Sequence, residues 1–585
     1  MKILSKIKLI QSKLSVSVNK HPFLSTILIL VLANVAILMM AACFAMLIDR
    51  AEYFNYLVAL VNVLQWMIIP GSVLLPESLG IRILAVIVFI VGLVLFSGTI
   101  IALTTTHLKH YIEHKSNAKG KLKLSNHIVV LNYNERLPAM FQAMSYNEMS
   151  DTVLILSHMD KKGIKSAMQH QSLIATVNPL SKTNLVIRQG DANSTSELSD
   201  ICLNSAKAIF IAHSYQTPKD ETNMATVDLL ITVASQKLAE HIHIVVETNT
   251  QYVQGTTQNI IASLPILQDK DIFAFCPNEL IGQFLAMSIL SPLYVQVVYD
   301  LLSFKKVAVY DIDCNMTLQQ YLHSYTLSIP LYSSEGKLFV LAKGSSDLQK
   351  LNTKPILHNL KIQYIHPIAP KFTCFVYGQN DKYDSMVKAL KAMDGSIVCK
   401  VFEEHQMENF VNELGVEQPR IAVVLSSDKN DDNVLLALVA LNQRYGTNPP
   451  FEILVQIKDP NKQENIQKFG IKSIIVSSKV ASFFAMQNLL KRQAQHFFAT
   501  LLSNNQGNFD LCINQASEIF DLYSMETRFE SLGQFVRSTI YSTNQTIVPI
   551  GFAMSDGNVF FCEKLDSLQP WILKATDNLI YLKYR

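Results

Sequence analysis

At 585 residues the chain is long enough for several domains. With 49% hydrophobic residues and a mean hydropathy of +0.21, it is too polar to be embedded in a membrane throughout. A formal net charge of +3 gives no basis for nucleic-acid binding. The eight cysteines include no C-x-x-C pair, which argues against a zinc site or a disulfide framework and fits a reducing compartment for the polar part.

Residues 1–22 carry Lys2, Lys6, Lys8, Lys13 and Lys20 without an acid. Two uncharged apolar runs follow, Phe23 to Ile48 and Ile83 to Thr106, each meeting the roughly twenty residues that a helix needs to span a bilayer. Between them, Phe54 to Leu75 is apolar but is broken by Pro70, Gly71 and Ser72, with Pro76 just beyond. Beyond the second run come Lys109, Lys115, Lys119, Lys121 and Lys123 against Glu113, so both flanks read as cytoplasmic. An even number of spans satisfies that topology. Phe54 to Ile68 is then expected to be a re-entrant pore helix, and Ile69 to Glu77 its irregular return. Three plain anchor helices, or two anchors with an apolar hairpin, stay open on the residues alone.

Within the return loop, Ile69, Pro70, Gly71, Ser72 and Val73 are the candidate filter residues, and Glu77 the candidate outer acid favouring cations. One glycine between two prolines gives little freedom to build a ladder of axial carbonyls, so weak selectivity is expected. Gly92 and Gly98 in the second span are candidate gate hinges, or positions of close helix packing.

Residues 107–126 form a basic linker. From His127 the pattern changes to short apolar strands alternating with helices: His127 to Leu131, Thr152 to Ser157, Leu185 to Arg188, Ala206 to Ala212, His243 to Glu247 and Asp271 to Phe275. A helix is expected over Glu221 to Ala239. The alternation argues for a doubly wound parallel sheet. It then repeats, with Thr373 to Tyr377, Ile421 to Ser426, Phe451 to Lys458 and Ile471 to Val476. Each copy leads into a long apolar helix, Glu279 to Leu302 and Val480 to Leu502, and closes with a small β-rich lobe, around Lys306 to Lys343 and Arg537 to Leu582. An offset of about 200 to 245 residues is a domain duplication rather than a solenoid.

A two-helix pore unit followed by tandem Rossmann-like lobes, with Arg188-Gln189-Gly190-Asp191-Ala192-Asn193 after the third strand, resembles the ion channels that carry regulator-of-K+-conductance (RCK) domains. The order of Asn126 to Leu131, Arg188 to Asp191, Ala206 to Ala212 and Val245 to Glu247 is most similar to the Castor and Pollux branch. The resemblance implies a homotetramer in a lipid bilayer, with both termini cytoplasmic and eight lobes forming a gating ring. Inorganic cations would pass the pore, and Ca2+ or a nucleotide would act on the ring. The expected divisions are 1–22 N-terminus, 23–106 transmembrane pore domain, 107–126 linker, 127–370 first RCK domain and 371–585 second RCK domain. No Thr-Val-Gly-Tyr-Gly filter is present, a departure from that family.

A dinucleotide fingerprint needs G-x-G-x-x-G after the first strand. Here the turn, Asn132 to Pro138, has no glycine. Asn132, Asn134, Arg136, Asp160, Gly190 and Asp191 are nevertheless the candidate nucleotide contacts, Arg136 for a phosphate and Asp160 for a ribose hydroxyl. Acids that could serve calcium are Glu197, Asp200, Asp220, Glu221, Asp428, Asp431 and Asp432, though sequence places no set of them together, and no metal site is assigned. No nucleophile with a partnered base stands out, so the chain is read as a non-enzyme. A ligand-gated cation channel is the leading expectation. A membrane-anchored regulatory subunit of another transporter, and a membrane-bound NAD-dependent oxidoreductase, are the alternatives.

Overall fold

The computed structural model describes residues 22–69, 76–92, 121–146, 152–170, 184–214, 224–239, 242–303, 307–313, 318–324, 328–334, 336–349, 360–362, 371–392, 397–427, 430–491, 495–502, 508–523, 527–553, 559–561 and 570–584. The chain forms two compact units, 1–118 and 119–585.

In the smaller unit, α1 (Pro22–Ile48) runs 27 residues without an acid or a base. Asn55 then caps α2 (Tyr56–Ile68), its Oδ1 accepting the Leu57 N–H at 3.1 Å. Residues 79–92 are helical again. Ala41, Ala42 and Ala45 of α1 meet Ala59, Val63 and Trp66 of α2 and Ile81, Ala85 and Val88 of the third helix in one buried cluster. Small side chains let the three helices approach, and Trp66 meets Tyr53 edge-on at 5.9 Å. The side chains of residues 22–31 and 33 lie outside the described residues, and over what remains no helix is long and apolar enough to cross a membrane.

The larger unit opens with a six-stranded parallel sheet. Its strands are β1 (His127–Leu131), β2 (Thr152–Ser157), β3 (Asn184–Gln189), β4 (Ala206–Ile211), β5 (His243–Glu247) and β6 (Asp271–Phe275), in the order β3-β2-β1-β4-β5-β6. Every residue of β1 is buried. Ile128 and Val130 face one core, Val129 and Leu131 the other. Burial on both faces is why such strands read as unbroken apolar runs in sequence.

A second sheet repeats the first with one strand fewer. β10 (Phe372–Tyr377), β11 (Ile397–Phe402), β12 (Ile421–Leu425), β13 (Glu452–Ile457) and β14 (Ser473–Val476) pair in the order β11-β10-β12-β13-β14. No counterpart of β3 appears among the described residues, and β11 is a strand that apolar patterning alone passed over. Between the sheets lies a small antiparallel sheet, β7 (Ala308–Asp313), β8 (Ile329–Ser334) and β9 (Lys337–Ala342), with α7 (Leu318–Ser324) beside it.

The lobes are joined by a reciprocal exchange of helices. α3 (Leu137–Tyr146) packs on α9 (Ser477–Leu490), and α5 (Pro277–Leu290) packs on α8 (Tyr383–Ala392). The core on this side is continuous, holding Val130 and Phe284 with Val376, Met386 and Phe484. At the second crossing Gly282 is required. A Cβ there would lie 2.7 Å from the Lys382 carbonyl oxygen and 2.9 Å from the Met386 nitrogen. At the first crossing Ser482 Oγ is placed to donate to the Arg136 carbonyl at 2.7 Å.

Three readings of the sequence are corrected here. The helix expected over Val480 to Leu502 ends at Leu490 in α9, and a separate helix, α10 (Gln495–Leu502), follows with Lys491 outside both. The helix expected over Glu279 to Leu302 breaks at Ser291 and Pro292 into α5 and α6 (Leu293–Leu302), because proline cannot supply the N–H that continues the ladder. The β-rich lobe expected around Arg537 to Leu582 begins further upstream. Its strands start earlier, with β15 (Phe509–Gln515), and Arg537 sits in α11 (Leu532–Ser542). β16 (Arg528–Phe529), β17 (Ile547–Ala553), β18 (Val559–Phe560), β19 (Trp571–Ile572) and β20 (Asn578–Tyr584) complete it, in the orders β15-β20-β17-β18 and β16-β19. Tyr584 Oη donates to the Leu331 carbonyl at 2.8 Å, tying the closing lobe to β8.

Candidate functional site

The strand order of the first sheet reverses between β1 and β4, and in open α/β sheets ligands enter the crevice at the carboxyl ends of such strands. Asn132 opens the turn there with φ +69°, a left-handed conformation that asparagine tolerates. Asn134 is 2% exposed. Its Nδ2 donates to the His213 carbonyl at 3.2 Å and to Glu247 Oε2 at 3.0 Å, and its Oδ1 accepts the Arg136 N–H at 3.1 Å.

Arg136 closes the group by an ion pair with Glu247, whose side chain is 2% exposed. Burial pushes the Glu247 carboxyl up, opposed by Arg136 and by the Asn134 hydrogen bond. His213 is pushed down to about 4, first by burial and then by the Arg136 charge, so the imidazole at the crevice is neutral at neutral pH. The guanidinium that the sequence offered to a phosphate is therefore engaged by the protein's own carboxylate.

Asp160, Gly190 and Asp191 gather at the ends of β2 and β3. Asp160 Oδ1 accepts the Gly163 N–H at 2.9 Å at the start of the helix Lys161–His170. The Gly190 N–H donates to the Ser157 carbonyl at 2.9 Å, and a Cβ at Gly190 would collide with the Glu197 carboxylate. Glu197 Oε2 accepts the Asp191 N–H at 2.9 Å, and Asp191 Oδ1 lies 3.2 Å from His158 Nε2. The six candidate residues thus fall into two groups along one edge of the sheet. Glu247 and His213 join the first, and His158 and Glu197 the second.

The second lobe repeats the first group without its carboxylate. Gly378, at φ +85°, stands where Asn132 does, and Asn380-x-Lys382 where Asn134-x-Arg136 does. Asn380 Nδ2 donates to the Ser426 carbonyl at 2.7 Å and to Gln456 Oε1 at 2.9 Å, while its Oδ1 accepts the Lys382 N–H at 3.0 Å. Gln456 in turn donates to Ser477 Oγ at 2.8 Å. The paired Asn-x-Arg and Asn-x-Lys spacing was a sequence signal that the two turns are equivalent, but it does not point to Glu247 or Gln456.

A separate cleft of ≈ 400 Å³ opens where the β6 edge meets α9. Its lining includes Gln254 of α4 (Gln251–Ser263), Phe275, Cys276, Glu279 and Phe484. Phe275 and Phe484 are 5.4 Å apart. Burial raises both the Cys276 thiol and the Glu279 carboxyl, the latter opposed by Lys388.

Among the described residues no three His, Cys, Asp or Glu side chains converge as a metal site. Asp200 pairs with Arg188 at 2.9 Å, Asp431 accepts the Lys458 and Asp459 N–H groups, and Asp432 pairs with Lys462 at 2.8 Å. Asp220, Glu221 and Asp428 lie outside the described residues.

In the smaller unit, Ile69 caps α2 and Glu77 is exposed. The Arg82 Nε donates to the Pro76 carbonyl at 2.5 Å, bracing the foot of the third helix. Gly92 faces Met67, and a Cβ there would collide with the Met67 side chain. Pro70, Gly71, Ser72, Val73 and Gly98 lie outside the described residues.

No protein-family model and no curated protein matches the chain. Among solved structures it is similar to the human SLO3 gating ring, at 11% identity and a TM-score of 0.52, over 78% of this chain and 99% of that one. The chain carries a gating-ring fold. A GsuK channel bound to NAD matches over 96% of this chain and 97% of its own at 12% identity, with a TM-score of 0.41. The GsuK RCK domain matches over 81% and 96% at 11% identity, with a TM-score of 0.39.

Proposed function

We propose that the chain is one subunit of a homotetrameric, ligand-gated cation channel of the Castor/Pollux type. Residues 23–106 form its membrane pore and the 119–585 unit contributes two RCK lobes to a cytosolic gating ring. The observation that carries this reading is the pair of Rossmann-like lobes locked by reciprocal helix exchange, in the fold of a gating ring. The uncharged 27-residue α1 and the exposed Phe44, Leu47, Phe54, Leu57 and Leu79 support a lipid or subunit environment for the smaller unit. Lysines on both flanks support cytoplasmic termini.

On this reading Ile69 to Val73 form a weakly selective constriction, and Glu77 an acidic ring at the outer mouth. The inner helix bends near Gly92 or Gly98 when ligand binding expands the ring. The free energy for that motion is the difference in ligand affinity between closed and open rings. The regulatory ligand, Ca2+ or a nucleotide, does not meet a vacant guanidinium at the first crevice. A phosphate there must displace Glu247 from Arg136, which makes the pair an antagonist of nucleotide binding. No catalytic role is assigned to any residue.

Mass determination of the detergent-solubilised full chain tests the assembly. A closed fourfold oligomer is expected, since one return loop per chain cannot enclose a pore. A fully active monomer or dimer would overturn it.

A further inference from the structure

Arg537 lies in α11, is 3% exposed, and among the described residues has no hydrogen-bond partner for Nε, Nη1 or Nη2. Burial lowers its pKa to about 10, and no carboxylate among the described residues contributes. A guanidinium carries five donors and stays charged in proteins. Removing it from water without a counter-charge is strongly unfavourable, which makes a buried, unpartnered guanidinium a position for something else to complete.

The helix geometry shows which side it faces. Phe535, two residues earlier and roughly 200° away around the helix, packs in an aromatic cluster with Phe520, Phe529 and Phe552 inside the closing lobe. Arg537 therefore points away from that cluster. It shares its face with Tyr541, one turn on, whose ring meets His323 of α7 at 6.0 Å, edge-on. That face is the seam between the closing lobe and the small sheet that follows the first lobe, where α7 packs on α11.

We propose that Arg537 anchors a small-oxyanion site in the seam between α7 and α11. The occupant is a phosphate or carboxylate group held by the guanidinium fork, either a free anion or the head group of a small molecule. Guanidinium binds both chemistries through two parallel N–H···O bonds, the strongest neutralisation open to it. An anion there would also brace α7 against α11 and so couple the two β-rich lobes. The site does not depend on the chain being a channel.

The test uses the full chain in detergent. Equilibrium dialysis with radiolabelled inorganic phosphate should show saturable binding, and phosphate should raise Tm relative to chloride at matched ionic strength. Arg537→Met should abolish both effects, with a phosphate-free Tm at or above that of the unsubstituted chain, because an uncompensated charge has been replaced by an apolar side chain. Arg537→Lys keeps the charge but loses the fork, and should weaken binding by about tenfold or more. Acetate and sulfate should displace the label, and phenyl phosphate displacing it at lower concentration than phosphate would assign the site to a head group rather than a free anion. Absence of saturable binding of phosphate, sulfate, acetate and phenyl phosphate to the unsubstituted chain would overturn the proposal, whatever the variants do. So would undiminished binding in Arg537→Met or, should that variant not fold, in Arg537→Lys.

Discussion

Arg136 and Glu247 are 111 residues apart in sequence, and the parallel sheet brings them into one buried pair. Arg136→Met would leave Glu247 buried without its counter-charge, at a cost of about 3–5 kcal/mol, and adding Glu247→Gln should restore most of it. Paired denaturant titrations of the single and double variants check this, and equal losses in both would contradict it. The second lobe already runs the same lattice with Gln456, which is why the amide should be tolerated. His213 gives a pH signature. Its folded pKa is depressed from 6.5 to about 4, so the stability it contributes is present above 6.5 and is lost as pH falls towards 4. In that window the unfolded chain takes a proton that the folded one refuses, a slope approaching about 1.4 kcal/mol per pH unit. His213→Asn should flatten the acid limb there in a pH series of unfolding curves, and an unchanged slope would remove His213 from the account. Asn134 and Arg136 were legible in the sequence because they follow the first strand directly. Glu247 was not, because its role depends on β4 and β5 lying beside β1, an order that no local pattern displays.

At the scale of elements, sequence reads best where burial is two-sided. Runs such as His127 to Leu131 and Ile421 to Leu425 are buried at every position and stand out as strands. The edge strand β11 does not, since Lys400 reaches out to Glu417 and the strand is only partly buried. α11 departs from the pattern in another way. Leu532, Phe535, Val536 and Ile540 recur at helical spacing, but the helix is buried almost all round, its polar Gln534, Arg537 and Ser538 included. The exchanged helices carry the clearest mechanical prediction. Gly282→Ala should destabilise the larger unit by about 1–3 kcal/mol, because its Cβ meets Ser385 Cβ and the backbone at Lys382 and Met386, none of which can turn away. Ser482→Ala at the matching crossing removes a single hydrogen bond and should cost only about 1 kcal/mol. Thermal unfolding of the two variants compares them directly, and a harmless Gly282→Ala would show that α5 and α8 can separate freely.

For the whole molecule, the duplication was legible because both copies keep their strands and the apolar helix after the last strand in the same order. What the pattern concealed is how the copies combine, each lending its first helix to the other's long helix around a continuous core. That exchange makes the two lobes a single mechanical body, a fitting input for a gate. The candidate constriction is an expectation from composition, a proline- and glycine-broken return between apolar runs, and Pro70 to Val73 lie outside the described residues. The most direct measurement is current through the purified full chain in planar bilayers, with reversal potentials taken under potassium and sodium gradients. The account predicts cation currents with weak discrimination between the two ions, reduced in Glu77→Gln. Tetramers that incorporate and pass no current, or a strongly potassium-selective conductance insensitive to Glu77→Gln, would contradict it.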